Sequence, residues 1–225
     1  MSLPALSATS GNLVRDGIYV IARIAADPAT HTLTVTLEGP QDALEKSVVA
    51  RRAADKGAIL AAAVADYLLG EVQRATVAFG VKVFGHYGSR TDPQYVRIFP
   101  AAPFAIANSN PSDRVTVFGA LRKAATDPAT AKELAPAVKL VVAAIDAWTA
   151  GTGAAAKADA GLKAASKAES AAADAWQTAV RKLRGQIIVL FPRDAPRQRS
   201  YFPATKAVKK AKPAATGTDL TLPTP

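Results

Sequence analysis

Alanine occupies half of the positions between residues 154 and 179, and it makes up 51 of the 225 residues of the chain. Each alanine buries little surface, and aromatic residues account for only 6% of the chain. Because apolar burial contributes about 25 cal/mol per Å², a core built from such residues is thin for the length of the chain. The composition therefore predicts extended helices that touch through narrow alanine faces.

One helical pattern is very long, from about residue 41 to residue 88, which corresponds to roughly 72 Å at 1.5 Å per residue. Its apolar stripe consists of Val64, Leu68, Val72, Ala75, Phe79 and Val83. Several of these positions recur after eleven residues, a period that favours a straight or slightly right-handed packing seam. We expect this helix to dominate the fold.

The second half of the chain repeats the helical character in shorter pieces. Helical patterns cover about 112–125, 127–150 and 154–184. Residues 151–153 (Gly-Thr-Gly) are expected to interrupt the helix between the last two patterns. Trp148 and Trp176 fall on apolar stripes, and we interpret them as core anchors of two facing helices.

Short β-like passages accompany the helices. Residues 17–24 and 31–37, with Asp27-Pro28 between them, predict a hairpin, because residues 31–37 alternate strictly between apolar and polar. Short strands are expected at 94–99 and 186–191. Phe99 and Phe191 would plug the end of the bundle, while Pro100 and Pro192 would end these strands.

The predicted fold class is therefore mainly α, an elongated antiparallel helical bundle with one very long helix and a small β element. By composition the chain divides into an N-terminal arm (1–14), a helical bundle with a small β-sheet (15–192), and a basic Pro/Ala/Lys tail (193–225).

Two sequence echoes raise the question of an internal duplication. The pattern of residues 94–100 recurs at 186–192, and Ala-Ala-Asp-Pro-Ala-Thr at 25–30 recurs as Ala-Thr-Asp-Pro-Ala-Thr at 125–130. One interpretation is a duplication of about 15–104 and 112–196. The alternative is convergence on a common way of ending a helix.

The side chains present argue against an enzyme. The chain has no Cys, which excludes thiolate catalysis, disulfides and Cys-ligated metals, and it has only two His. No constellation of residues predicts a catalytic group, a metal site, a cofactor or a small-molecule substrate. The sequence shows no secretory signal and no uninterrupted apolar span, so we expect a cytoplasmic protein that does not cross a membrane.

The net charge of +10 is concentrated near the C-terminus, where the stretch from Arg181 to Lys212 contains ten Lys/Arg and a single acid, Asp194. Arg181, Lys182 and Arg184 close a helix, where cations suit the negative end of its dipole. The other seven require a partner, which is an acidic surface or a polyanion. They are Arg193, Arg197, Arg199, Lys206, Lys209, Lys210 and Lys212.

Two functions compete on this basis. The first is a non-enzymatic structural or self-assembling protein, a subunit of a filament, tube or particle, which forms a homo-oligomer and whose basic tail contacts a neighbouring subunit or an acidic surface. The second is non-specific binding of nucleic acid by the tail. Residues 206–213 resemble in composition the Lys/Ala/Pro tails of histone H1-like proteins, a resemblance that implies the second function.

Overall fold

A computed structural model describes residues 9–203, and within them the chain forms helices and no strand. The prediction of a mainly α helical bundle is confirmed, and the predicted β element is wrong. The α-helices are α1 (Ser10–Ala25), α2 (Val35–Tyr87), α3 (Pro93–Ile98), α4 (Pro103–Ala107), α5 (Arg114–Ala125), α6 (Ala135–Leu190) and α7 (Ala195–Ser200). Single 3-10 turns, His31–Leu33 and Lys132–Leu134, precede α2 and α6.

The first strand of the predicted hairpin lies inside α1. The buried residues of α1 are Leu13, Gly17, Val20 and Ile24, and their spacings of four, three and four residues are those of one helix face. The prediction of an N-terminal arm over 1–14 hid this pattern, because it separated Leu13 from the apolar run that follows. Residues 10–14 belong to α1, and residues 1–8 lie outside the described part of the chain.

The second strand of that hairpin is a 3-10 turn followed by the start of α2. Leu37 is fully buried, whereas Val35 is 73% exposed, so the alternating apolar residues do not share a face. The turn at residues 27–30 ends α1 and reverses the chain direction before α2. Asp27 Oδ1 accepts a hydrogen bond from the Ala29 N–H, and the Thr30 hydroxyl donates to the Ile24 carbonyl.

The two predicted strands with Phe-Pro endings are also helical. Residues 93–98 form α3, where the Asp92 side chain accepts hydrogen bonds from the first turn. Residues 186–190 are the last turn of α6, in which Ile187 is buried while Val189 is 79% exposed. Pro100 and Pro192 therefore follow helices rather than end strands.

The two long helices are longer than predicted. α2 begins at Val35 and contains Pro40 in its second turn. α6 continues without a break through Gly151 and Gly153, at a propensity cost of about 1 kcal/mol per glycine. Gly151 lies against the Leu68 side chain, so a small residue there suits close packing of α6 on α2.

The chain separates into two compact units. Unit 2 is residues 43–174, where α2 and α6 run antiparallel, with Arg51 paired to Glu169 and Leu68 against Gly151. The middle of this pair has a narrow seam in which Ala65 is buried, as the composition predicts. The wider core of unit 2 includes Phe79, Ile98, Phe99, Phe118, Val141, Ile145 and Trp148.

Unit 1 consists of residues 1–42 and 175–225, and its described part contains α1, the start of α2, the end of α6 and α7. Its buried side chains are Leu13, Val20, Ile24, Leu37, Trp176, Val180, Leu183, Ile187 and Tyr201. The Trp176 indole N–H donates to Gln41 Oε1 at 2.7 Å, and Gly17 of α1 lies against both side chains. α1, α2 and α6 therefore meet at one polar contact inside this unit.

The same order of elements occurs twice along the chain. A short helix, an Asp-Pro-Ala-Thr turn, a 3-10 turn, a long helix and a short helix follow one another from α1 to α3 and again from α5 to α7. The Thr30 and Thr130 hydroxyls make the same hydrogen bond six residues back, at 3.0 and 3.1 Å. The Phe-Pro motifs, in contrast, stand in different elements. Internal duplication stays a prediction, supported by the turns and not by the Phe-Pro motifs.

By length and composition alone, residues 132–190 contain one window apolar enough to cross a membrane, with a mean hydropathy of 1.4 and 22% of its residues buried. The sequence had been expected to hold no such window. Alanine contributes much of this hydropathy, and a single window of this kind is weak evidence for a span.

Candidate functional site: partner-binding surfaces

Arg197, one of the seven predicted partner contacts, binds within its own chain. Its guanidinium pairs with Asp27 Oδ2 at 2.7 Å and lies 4.0 Å from the centre of the Phe191 ring. The Tyr201 hydroxyl also donates to Asp27. This hydroxyl and then the Arg197 guanidinium hold the pKa of Asp27 well below its usual range. Arg197 therefore fixes α7 to the turn after α1, an intramolecular contact that the charge pattern did not predict.

The remaining predicted contacts are divided between exposed arginines and undescribed lysines. Arg193 and Arg199 are exposed on either side of Arg197. Lys206, Lys209, Lys210 and Lys212 lie outside the described residues. The described part of the tail thus offers two exposed cations.

An equivalent contact is made in unit 2. Arg97 of α3 pairs with Asp127 at 2.7 Å and donates to the Thr130 hydroxyl at 3.2 Å. The Ala129 N–H and then Arg97 lower the pKa of the Asp127 carboxyl. Both Asp-Pro-Ala-Thr turns are therefore held by an arginine from a short helix distant in sequence.

Of the six residues predicted as structural, Phe99, Trp148 and Trp176 are buried, while Pro100 and Pro192 are exposed. Trp148 and Trp176 lie on the same helix, α6, rather than on facing helices. Phe99 packs in the core of unit 2, 5.5 Å from the Phe79 ring centre. Phe191 is half-buried and stacks on Tyr201 in unit 1. Phe99 and Phe191 therefore do not form one plug.

An apolar stripe lies exposed on α2 in unit 2. Leu60, Val64 and Tyr67 are 56%, 54% and 64% exposed, and their spacing of four and three residues places them on one helix face. The sequence had placed Val64 in the buried seam, but Ala65 occupies the seam instead. We call Leu60, Val64 and Tyr67 the α2 stripe.

A groove of about 450 Å³ lies between α2 and α6, with Phe79 and several alanines among its lining residues. Arg74 and Lys82 line it as well, and Leu140 of α6, which is 71% exposed, contributes from the other helix. On α2 the groove residues Glu71 and Ala78 lie four and eleven residues after Tyr67. The stripe therefore continues into the groove on the same face of α2.

A second groove of about 330 Å³ lies between α2 and the segment 95–104. Phe84, Tyr95 and Phe104 line it, together with Val77, Gly80, Val81, Arg90, Ala102 and Pro103. Phe104 is 71% exposed and Val81 is 65% exposed, so large apolar side chains face solvent here. We call this the aromatic groove. No periodic pattern in the sequence predicts this groove, because its residues come from three helices, α2, α3 and α4, and from the loops between them.

The described residues hold no group of three or more His, Cys, Asp and Glu side chains that could bind a metal ion. Comparisons with protein-family models, curated proteins and solved structures found no match to the chain. The α2 stripe and the aromatic groove are candidate partner-binding surfaces among the described residues of unit 2.

Proposed function

We propose that the chain is a non-enzymatic, self-assembling structural protein whose subunits associate through the α2 stripe. The observation that carries this proposal is the exposure of Leu60, Val64 and Tyr67 on one face of a helix. Contiguous exposed apolar side chains on a soluble protein mark interaction sites, because their burial against a partner is favourable.

The partner that fits the stripe is a second copy of α2 running antiparallel. If two copies meet about a point between Ala63 and Val64, Leu60 of each faces Tyr67 of the other. The same register brings Lys56, an exposed cation, opposite Glu71 at both ends. An interface that is self-complementary in this way generates a closed twofold dimer.

The length of the surface is sufficient for a helical interface. The face of α2 that carries the stripe also includes Val49, which is 65% exposed, and Ala78 in the groove between α2 and α6. From Val49 to Ala78 the helix rises about 44 Å at 1.5 Å per residue. Alanines at the edges allow close approach of a second helix.

Size-exclusion chromatography with light scattering tests the proposal. We expect the full chain to be a dimer or larger and Tyr67→Glu to be monomeric, because the new carboxylate would face Leu60 of the other copy. Val115→Glu, on α5, is the matched control, since Val115 is 67% exposed and lies outside the stripe. Lys56→Glu should weaken association, and adding Glu71→Lys should restore it. A full chain that stays monomeric at high concentration would refute the proposal.

Binding of nucleic acid is the competing function, and the exposure of four cations among residues 175–203 of unit 1 favours it. They are Arg181, Lys182, Arg193 and Arg199. Such binding would weaken steeply as salt rises, because each phosphate contact releases condensed counterions. Two results together would favour this alternative. The chain would shift the mobility of nucleic acid, and the double substitution Arg193→Glu with Arg199→Glu would abolish that shift. In light scattering, the Tyr67→Glu variant would have the same oligomer mass as the wild type.

A further inference from the structure

The aromatic groove of unit 2 has one closely packed wall and exposed apolar side chains around it. A Cβ on Gly80 would lie 2.3 Å from Pro103 Cγ, so the glycine lets the first residue of α4 pack directly on α2. Phe104, the next residue, is 71% exposed, and Phe84 of α2 is 42% exposed. Exposed apolar side chains that line a preformed concave surface are typical of interaction sites. The groove is therefore a candidate binding site in its own right.

One cation lies at an end of this groove. The Arg90 guanidinium lies 5.7 Å from the centre of the Phe84 ring, just after α2 ends at Tyr87. Arg90 is exposed, and among the described residues no carboxylate pairs with it. The charge therefore favours a ligand that carries a carboxylate beside its apolar groups.

A second hydrogen-bond donor at the groove also lacks a partner. Tyr95 is only 4% exposed, and its hydroxyl makes no hydrogen bond to any described residue, although it keeps some contact with solvent. Buried tyrosine hydroxyls usually have a hydrogen-bond partner. The Tyr95 ring meets the Phe84 ring edge-on, with 6.4 Å between their centres. Arg90 and Tyr95 therefore both offer donors beside the same ring, and the ligand supplies the acceptors.

The size of the groove suits an extended peptide rather than a helix. Its volume of about 330 Å³ lies at the small end of the range for ligand sites, roughly 300–1,000 Å³. From Val77 to Phe84 the α2 helix rises about 10 Å, the length of about three residues of extended chain. A helix, about 10 Å across, would need more than this volume over the same length. Aromatic grooves bind extended segments that contain proline, because these lose little entropy on binding.

We propose that the aromatic groove binds an extended acidic segment of another protein. A carboxylate of this segment pairs with Arg90, and the Tyr95 hydroxyl donates to an oxygen of the segment. Two apolar side chains next to the carboxylate, proline among them, cover Phe84 and Phe104. Because Arg90 follows the end of α2, the carboxylate lies at that end of the groove and the apolar residues extend towards Val77.

This inference is independent of self-assembly through the α2 stripe. At 3.6 residues per turn, Val77, Val81 and Phe84 lie on a different face of α2 from Tyr67. A partner in the aromatic groove therefore leaves the stripe free for a second copy.

Selection from a display library of random eight-residue peptides on the immobilised full chain tests the class of partner. We expect the enriched peptides to share an Asp or Glu next to apolar residues, and not to bind a variant with Arg90→Glu and Phe104→Ala. Enrichment of basic or uncharged peptides, equal enrichment on that variant, or no enrichment would overturn the proposal. Peptides that match a segment of this chain would assign the groove to a second copy and would overturn it as well.

Tyr95→Phe separates binding from folding. The substitution removes a hydroxyl that has no partner among the described residues, so the melting temperature should equal that of the wild type. The affinity for an enriched peptide should fall by roughly threefold to tenfold, the effect of losing one hydrogen bond. Fluorescence polarisation with the labelled peptide measures this affinity. Val115→Glu, on α5 outside the groove, is the control and should bind as the wild type does. An unchanged affinity in Tyr95→Phe would contradict the role given to the hydroxyl.

Charge reversal tests the ion pair. Arg90→Glu should weaken binding of the same peptide by roughly threefold to tenfold, and replacing the acid of the peptide by Lys should restore binding to Arg90→Glu. Failure of this double reversal would overturn the proposal. Tyr67→Glu should bind the peptide as the wild type does. A monomeric full chain that binds the peptide would refute the proposed self-assembly and leave this inference standing, and an oligomer that does not bind it would do the reverse.

Discussion

Arg197 forms an ion pair with Asp27 across 170 residues of sequence, with 2.7 Å between Nη2 and Oδ2. Asp27 also accepts from the Ala29 N–H, so one carboxylate both shapes its own turn and holds α7. Arg97 and Asp127 repeat this relationship in unit 2. In both cases a local turn signal in the sequence is completed by a side chain that the local sequence does not contain.

The first prediction concerns the pH dependence of stability. The pKa of Asp27 is lowered in the folded chain, so its contribution is fully present above the unfolded value of about 4 and is lost as pH falls through the lower folded value. Asp27→Asn should therefore destabilise at pH 7, and the difference from wild type should shrink below about pH 4. Urea denaturation at several pH values measures it. Asp159→Asn, in an exposed pair on α6, is the control and should show little effect.

The second prediction concerns the close approach of α1 to α2 and α6. A Cβ at Gly17 would lie 2.8 Å from Trp176 Nε1 and even closer to Gln41 Oε1, atoms that are hydrogen-bonded to each other. We expect Gly17→Ala to cost about 1–3 kcal/mol through this overlap. Gly11→Ala, on the same helix with open space around it, should instead stabilise by up to about 1 kcal/mol. Equal melting temperatures for the two variants would contradict the packing described.

The third prediction concerns the ion pair in the seam between α2 and α6. The Glu169 side chain is 11% exposed and pairs with Arg51, which is 40% exposed. Arg51→Leu should destabilise by about 1–3 kcal/mol, because it leaves a largely buried carboxylate without its cation. Arg51→Leu with Glu169→Leu should recover most of that loss, since apolar replacement of both partners removes the desolvation cost. A double-mutant cycle from thermal unfolding gives the coupling free energy between Arg51 and Glu169. If the effects of the two single substitutions simply add, the two side chains do not form a stabilising ion pair.

The fourth prediction compares the two turns. Thr30 is fully buried, and its hydroxyl donates to the Ile24 carbonyl, so Thr30→Val should cost about 1–2 kcal/mol. Thr130 makes the same bond but is only half-buried, and water can replace the lost donor. Thr130→Val should therefore cost less. Chemical denaturation of both variants in the full chain measures the two losses of unfolding free energy. A larger loss for Thr130→Val than for Thr30→Val would be inconsistent with the greater burial of Thr30.

Several elements were predictable because their signals are local. The spacing of Leu13, Gly17, Val20 and Ile24 is that of one helix face, and the predicted end of the arm at residue 14 divides this pattern. Likewise, Asp27-Pro28 predicts a turn from its own side chains, whereas Asp127-Pro128, which was expected to begin a helix, forms the equivalent turn and α6 begins only at Ala135. The narrow alanine seam follows from composition, since few large apolar residues are present to build anything wider.

The candidate surfaces could be predicted only in part. Val64 continues the spacing of Leu68 and Val72, so periodicity places it in the seam, yet Val72 is fully buried and Val64 is 54% exposed. In an alanine-rich helix Ala65 packs in the seam as readily as Val64 would. Periodicity alone therefore does not predict which of these two adjacent residues is buried. The aromatic groove has no linear signature, because Phe84 and Phe104 are brought together by the chain reversal between them.

The sequence by itself determined that the chain is helical, rich in narrow apolar faces, and cationic near its C-terminus, because propensity, composition and charge are properties of residues and their near neighbours. Only the tertiary structure decided that α6 is continuous through Gly151 and Gly153, that Arg197 is used within the chain, and which apolar side chains stay exposed. These outcomes depend on contacts between residues distant in sequence, whose free energies local patterns do not contain.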